Sequence, residues 1–157
     1  MFIEVDELKN VMYEYQLDEI IEGDQSIALK GIAAGVAKVK SYLTSNNQKR
    51  YQDGRPQYDV DKIFSQTGED RDALIVRICL TVAAWYVCEL ANIDIVYNQL
   101  KERYESEIDF LSMVAGVGKY ADSPTISLDL PTVEPDADGS GTKQIFRYGS
   151  RPPFNHE

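Results

Sequence analysis

The sequence predicts an all-α protein: a compact helical bundle around a buried central helix, with an extended C-terminal tail containing short strand-like segments. Three observations lead there. The stretch from Leu74 to Leu90 is apolar nearly all round, the mark of a helix surrounded by others. The segments flanking it place apolar residues at three- and four-residue steps, which gives each helix one buried face. From Lys119 onward that periodicity stops, and short alternating patterns separated by turn-forming residues replace it. The expected division is a helical domain over residues 1–118 and a tail over 119–157.

In chain order, Asp6 can cap a first short helix with Leu8, Val11, Met12 and Tyr15 on one face. Leu17 to Glu22 continues or kinks it, and Gly23-Asp24 ends it. Asp24 caps the second helix, which runs to about Ser45 with Ile27, Ile32, Val36, Val39 and Leu43 as its apolar positions. Gly31 and Gly35 lie four apart within it. A mid-helix glycine costs about 1 kcal/mol against alanine, so the pair points to close approach of another helix. Membrane helix pairs use the same spacing, but Lys30, Lys38 and Lys40 exclude a lipid-buried helix here.

Asn46 to Asp59 reads as a polar loop, and Val60, Ile63 and Phe64 as a single turn. Thr67 and Asp70 resemble a capping box opening the central helix, Glu69 to Ala91, with Trp85 and Tyr86 in or beside the core. Asp94 caps the last helix, whose apolar face is Ile95, Leu100, Tyr104, Ile108, Leu111 and Val114. Lys101, Glu102, Arg103, Glu105 and Glu107 fall off that face as a solvated side, and Ala115 to Gly118 stop the helix. In the tail, Thr125 to Leu130 and Gln144 to Tyr148 carry strand-like patterns.

Charge and cysteine usage narrow the function classes. The net charge is -10, with 26 acidic against 16 basic residues, which argues against a primary role on duplex DNA. No direct sequence-specific nucleic-acid binding is expected. Cys79 and Cys88 lie nine residues apart, on opposite faces of a helix that advances about 100° per residue, so they cannot bridge each other within it. They read as buried free thiols suited to a reducing cytosol. Met1 to Asp6 is acidic and lacks an apolar run, so no signal peptide is expected. The apolar run Ile78 to Cys88 falls short of the about 20 residues of a bilayer span, which predicts no membrane role.

Each motif that invites chemistry has a structural reading that fits better. Gly116-Val117-Gly118-Lys119 resembles a phosphate loop, but Met113 and Tyr120 stand where that motif needs glycine and Ser or Thr. Glu134, Asp136, Asp138 and Gly139 match half of a calcium loop; Ile145 then stands where the bidentate Glu belongs. Glu105 with Asp109, and Glu69 with Asp72, are carboxylate pairs on helices, where solvated charge is the ordinary state. The one histidine, His156, is the penultimate residue, with nothing nearby to orient it as a base. No catalytic residue, cofactor or metal is expected. The tail differs: Lys143, Arg147 and Arg151 are interleaved with Phe146, Tyr148 and Phe154, a mix suited to a groove or sheet edge on a protein partner, with packing on the chain's own body and single-stranded nucleic acid as the alternatives. The partner-binding residues expected are Ile126, Leu128, Leu130, Phe146, Arg147, Tyr148, Arg151 and Phe154.

The order of these pieces resembles the Mu-like bacteriophage family of small head-completion, or head–tail connector, proteins. The resemblance covers about residues 2 to 118. It is carried by Phe2-Ile3 with Asp6-Glu7-Leu8, by Ile32-Ala33-Ala34 through Val39 to Ser41-Tyr42-Leu43, by the apolar helix Ala73 to Leu90, and by Arg103-Tyr104 with Leu111 and Val114-Ala115-Gly116. The loop after Leu43 and the tail beyond Gly118 both look longer than the family pattern, so the tail's role is not carried over. The resemblance implies a non-enzymatic structural protein that joins the portal–tail junction as an oligomeric ring. It also implies a place in the virion, or in the bacterial host cytoplasm during assembly. The alternative is a soluble helical adaptor or regulator that binds a single host or phage protein.

Overall fold

Two long helices, locked together through glycine, form the spine of the protein. The computed structural model describes residues 1–48, 55–91, 98–122 and 126–133. Five α-helices stand there in order: α1 (Glu14–Ile21), α2 (Gln25–Gln48), α3 (Val60–Ser65), α4 (Ala73–Leu90) and α5 (Asn98–Ala115). Short 3-10 turns at Val5–Asn10, Gly68–Asp70 and Gly118–Tyr120 join or end them. Among the described residues the protein is all-α, without a strand.

α4 is the central helix. Ile75, Ile78, Cys79, Val82, Ala83, Ala84 and Val87 are buried along it, against α2 on one side and α5 on another. Its two ends, Leu74 and Leu90, are exposed, so the buried stretch is shorter than the apolar one. By length and composition alone α4 could cross a membrane; in this structure 56% of it is buried inside the protein, against the neighbouring helices. Thr81, which interrupts the apolar run, is satisfied within the helix by donating to the Arg77 carbonyl at 3.1 Å.

Gly31 and Gly35 face α4 as expected. A Cβ on Gly31 would lie 2.4 Å from Val87 Cγ2, and one on Gly35 would lie 2.8 Å from the Ala83 backbone. Close approach of the helix backbones requires the missing side chains. Around this contact Ile32, Val39, Leu43, Ile78, Val82 and Leu111 are fully buried. Each such side chain contributes about 1.5–3 kcal/mol relative to exposure.

Helix ends follow local capping chemistry, with some changes from expectation. Asp24 caps α2 by accepting from the Ser26 N–H at 2.9 Å. The first turn is closed by Glu7, whose carboxylate accepts the Glu4 N–H at 2.8 Å; Asp6 instead pairs with Lys9. Thr67 makes no side-chain cap. Asp72 does, accepting from Ile75 N–H at 2.9 Å, so α4 begins at Ala73 and not at Glu69. α2 runs on to Gln48, past the expected stop near Ser45, because the asparagines of its last turn find partners in the segment that follows. α5 ends on Gly116 at φ +60°, where Val117 N–H bonds Ser112 O and Gly116 N–H bonds Met113 O. The expected end of the central helix at Asn92-Ile93, and the Asp94 cap and Ile95 contact of α5, lie outside the described residues.

Candidate functional site

Arg55, Asn46, Asn47 and Tyr58 build a polar node at one end of the bundle. Asn47 sits in the last turn of α2 and reads the Tyr58 backbone twice, accepting its N–H at 2.8 Å and donating to its carbonyl at 2.7 Å. Its neighbour Asn46 donates to Pro56 O at 2.9 Å. Arg55 is buried; its guanidinium donates to Asn46 Oδ1 at 3.3 Å and to Ala115 O at 2.6 Å. A cation is thereby placed at the carbonyl ends of α2 and α5 together, where both helix dipoles favour positive charge. Nothing in the sequence pattern marked Arg55, because its partners are distant backbone groups and a helix-end amide.

The node holds the described part of the tail. Tyr58 is almost fully buried, and its hydroxyl accepts the Leu128 N–H at 2.8 Å. Asp59 N–H bonds Pro131 O and Val133 N–H bonds Gln57 O, each at 2.9 Å, around one antiparallel bridge between Tyr58 and Thr132. Residues 131–133 thus run beside 57–59, and residues 126–130, the described part of the alternating pattern, form no strand. Leu130 is buried in the core and Leu128 packs against it. These two of the expected partner-binding residues are placed against the chain's own body, since a fully buried tyrosine and a backbone pair already hold their segment. Ile126 stays at the surface, while Phe146, Arg147, Tyr148, Arg151 and Phe154 lie outside the described residues. The boundary expected at residue 118 is crossed by these contacts, and by Lys119, which pairs with Asp109 of α5 at 2.7 Å.

At the opposite end of α5, a groove of about 410 Å³ lies between the first turn of that helix and the start of α1. Val11, Met12 and Leu100 contribute its apolar lining, and Tyr13, Gln16 and Arg103 its more polar part. Tyr13 and Tyr15 stack on each other at 5.7 Å and are about two-thirds exposed. Large aromatics left in solvent beside a groove are the surface feature that most invites a partner. Glu14, Asp18, Glu19, Glu22 and Asp24 are exposed on α1 and the turn after it, with no basic residue from 13 to 24. The α1 surface is acidic and aromatic.

A second aromatic group lies half-buried across α4 and α5. Trp85 stacks on Tyr104 at 5.0 Å, and Tyr86 meets the same ring edge-on at 6.4 Å. Burial is the main reason that the Tyr104 hydroxyl is pushed up to about 12. Trp85 and Tyr86 thus pack beside the core as expected.

The titratable groups singled out from sequence are engaged structurally. Asp109, held below the usual carboxylate range by Lys119 and the Tyr120 hydroxyl, pairs with them and not with Glu105, which reaches Lys101 at 3.8 Å. Lys119 is thus committed to Asp109 at the Gly116–Gly118 stop. Asp72 is the α4 cap. Glu107 is buried, against the expectation of a solvated side, and is paired with Arg77 at 3.1 Å. Cys79 is buried and Cys88 half-buried; both are free thiols, and burial pushes Cys79 up to about 12. Among the described residues no three His, Cys, Asp or Glu side chains gather where a metal could be held. The acidic run Glu134, Asp136 and Asp138, and His156, lie outside the described residues.

Comparison with known proteins adds no further identification: no family model, no curated protein and no solved structure matches the chain.

Proposed function

We propose that the protein is a non-enzymatic structural component of a tailed phage or prophage, acting in head completion or head–tail joining through oligomeric protein–protein contacts. One observation carries this reading. The four stretches that bear the resemblance, Phe2 to Leu8, Ile32 to Leu43, Ala73 to Leu90 and Arg103 to Gly116, contribute most of the residues of one shared core. A resemblance spread over unrelated surface segments would have had no such coherence. The same helices leave an acidic aromatic face on α1 for contacts outside the chain.

In this role copies of the chain self-associate into a ring and meet portal or tail proteins, in the virion or in the host cytoplasm during assembly. Mixing the purified chain with purified portal, followed by light scattering and negative-stain imaging, tests it. A ring of copies seated on the portal is expected. A chain that stays off the portal overturns the reading. A one-to-one complex with a single other protein would instead favour an adaptor, which the groove beside Tyr13 could serve.

A further inference from the structure

The first two helices turn faces of opposite charge to solvent. α2 has three lysines and no acid in 24 residues, although the whole chain has a net charge of -10. Leu29, Ala33, Ala37 and Ser41 recur at four-residue steps as an exposed strip along it. At about 100° per residue, Lys38 and Lys40 flank Ala37 and Ser41, one on each side. Lys38 Nζ rests over the Tyr42 ring at 5.6 Å and Lys40 Nζ over the Phe64 ring at 5.0 Å. Neither pairs with a carboxylate among the described residues. α1 is the reverse. Tyr15, Asp18 and Glu19, with Glu22 just past the helix end, follow at three- and four-residue steps on one exposed face. These three acids pair with no base among the described residues.

Within one chain the two faces stay apart. The acids sit in the second half of α1, next to the Gly23-Asp24 break, and Lys38 and Lys40 stand about 20 Å beyond that break along α2. Both helices are fixed in the body, so a second molecule is needed to bring such faces together. We propose that the α1 face of one copy docks on the α2 face of a second copy. Tyr15 lies on the strip of Ala33 and Ala37, where small side chains leave room for a ring, and the acids meet Lys38 and Lys40. A contact between two different surfaces is head-to-tail, the kind that closes into rings. Nucleic acid is the poorer occupant, because the acidic excess of the chain repels a polyanion. α1 is only 8 residues, about 12 Å, so the contact is small and draws its selectivity from charge. The inference rests on the proposed self-association and names the surfaces that make it.

Charge exchange in the full chain tests it. One variant carries Lys38→Glu with Lys40→Glu; a second carries Asp18→Lys with Glu19→Lys. Circular dichroism checks that both fold; if the lysine variant does not, Lys38→Gln with Lys40→Gln replaces it in the single-variant comparison. Each variant alone should self-associate at least about tenfold more weakly by light scattering, and about 0.5 M salt should weaken the wild type likewise. An equimolar mixture of the two reversed variants should regain the wild-type mass, because unlike chains then present opposite charges at every α1–α2 contact. A mixture that stays dissociated overturns the proposal, as does a wild-type chain that is monomeric at all concentrations. Unchanged self-association in either variant also overturns it; if the lysine variant loses only binding to a single-stranded oligonucleotide, the α2 face serves nucleic acid instead. Assembly on the portal that survives both variants overturns these surfaces and leaves the connector function standing. A chain that self-associates in this way but ignores the portal overturns the connector function alone.

Discussion

Gly35 of α2 lies so close to Ala83 of α4 that an added Cβ would stand 2.8 Å from both the Cα and the backbone nitrogen of Ala83. The neighbouring contact, Gly31 against Val87, is of another kind: its worst approach, 2.4 Å, is to the end of a side chain. Gly35→Ala should therefore destabilise the protein by about 1–3 kcal/mol, overriding the roughly 1 kcal/mol that alanine gains in a helix. Gly31→Ala should also destabilise, but Val87→Ala in the same chain should recover part of that loss. Ala83→Gly should recover little for Gly35→Ala, because the clash there is with backbone. Urea unfolding of the double-mutant cycles measures both couplings.

The Tyr58 hydroxyl is the sole side-chain group seen holding the Leu128 N–H among the described residues. Tyr58→Phe should cost about 1–2 kcal/mol, with faster amide exchange at Leu128 as the local sign. Ending the chain after residue 118 removes Leu130 from the core as well. That truncation should be less stable by about 2–4 kcal/mol than one ending after Val133, compared by thermal unfolding. Equal stability would mean that residues 126–133 add nothing to the body.

Arg71 grips the start of the chain. It holds both oxygens of Glu7, at 2.7 and 3.0 Å, and donates to Phe2 O at 2.6 Å. The Arg71 hydrogen bond holds the Glu7 carboxyl below its ordinary value. The folded state therefore binds this proton less readily than the unfolded state. Its contribution is complete above the ordinary carboxylate value of about 4.3 and is lost as pH falls through the lower folded one. Glu7→Gln should cost about 1–2 kcal/mol at pH 7 and flatten that acid limb, as urea midpoints across pH 2–6 would show. Arg71→Lys should lose most of the same stability, since an ammonium cannot make the forked contact.

Cys79 is buried, and its thiol is pushed up to about 12 by loss of solvent. At pH 8 it should react with a thiol reagent on the order of a thousandfold more slowly than a free cysteine. Cys88, half-buried and raised for the same reason, should react ahead of it. Both should be modified at the free rate in denaturant, with mass spectrometry locating the label.

Much of the helical layout is legible in the sequence because it depends on periodicity and on glycine, which are local. The α4 core, the Asp24 cap, the Gly116 stop and the reason for Gly31 and Gly35 all follow from such signals. What escapes is set by partners far along the chain. Asn46 and Asn47 look like loop residues, yet they extend α2 because the backbone at 56 and 58 satisfies their amides. Glu107 looks solvated until Arg77 and the packing of α5 on α4 are in place. Arg55 carries no local pattern at all. The groove beside Tyr13 was equally hidden, since Tyr15 was expected on the buried face and is exposed.

Arg55 and its neighbours also decide how the body would bear a load. A pull on the tail passes from Thr132 into residues 57–59, and from there through Asn47 to the end of α2. Arg55, two residues before Gln57, carries the same load to the end of α5. Tension is thus divided between two long helices at one anchor point and does not peel a single helix away from its end. For a chain loaded through residues 131–133, that is the difference between a strap sewn to one edge and one riveted through the frame.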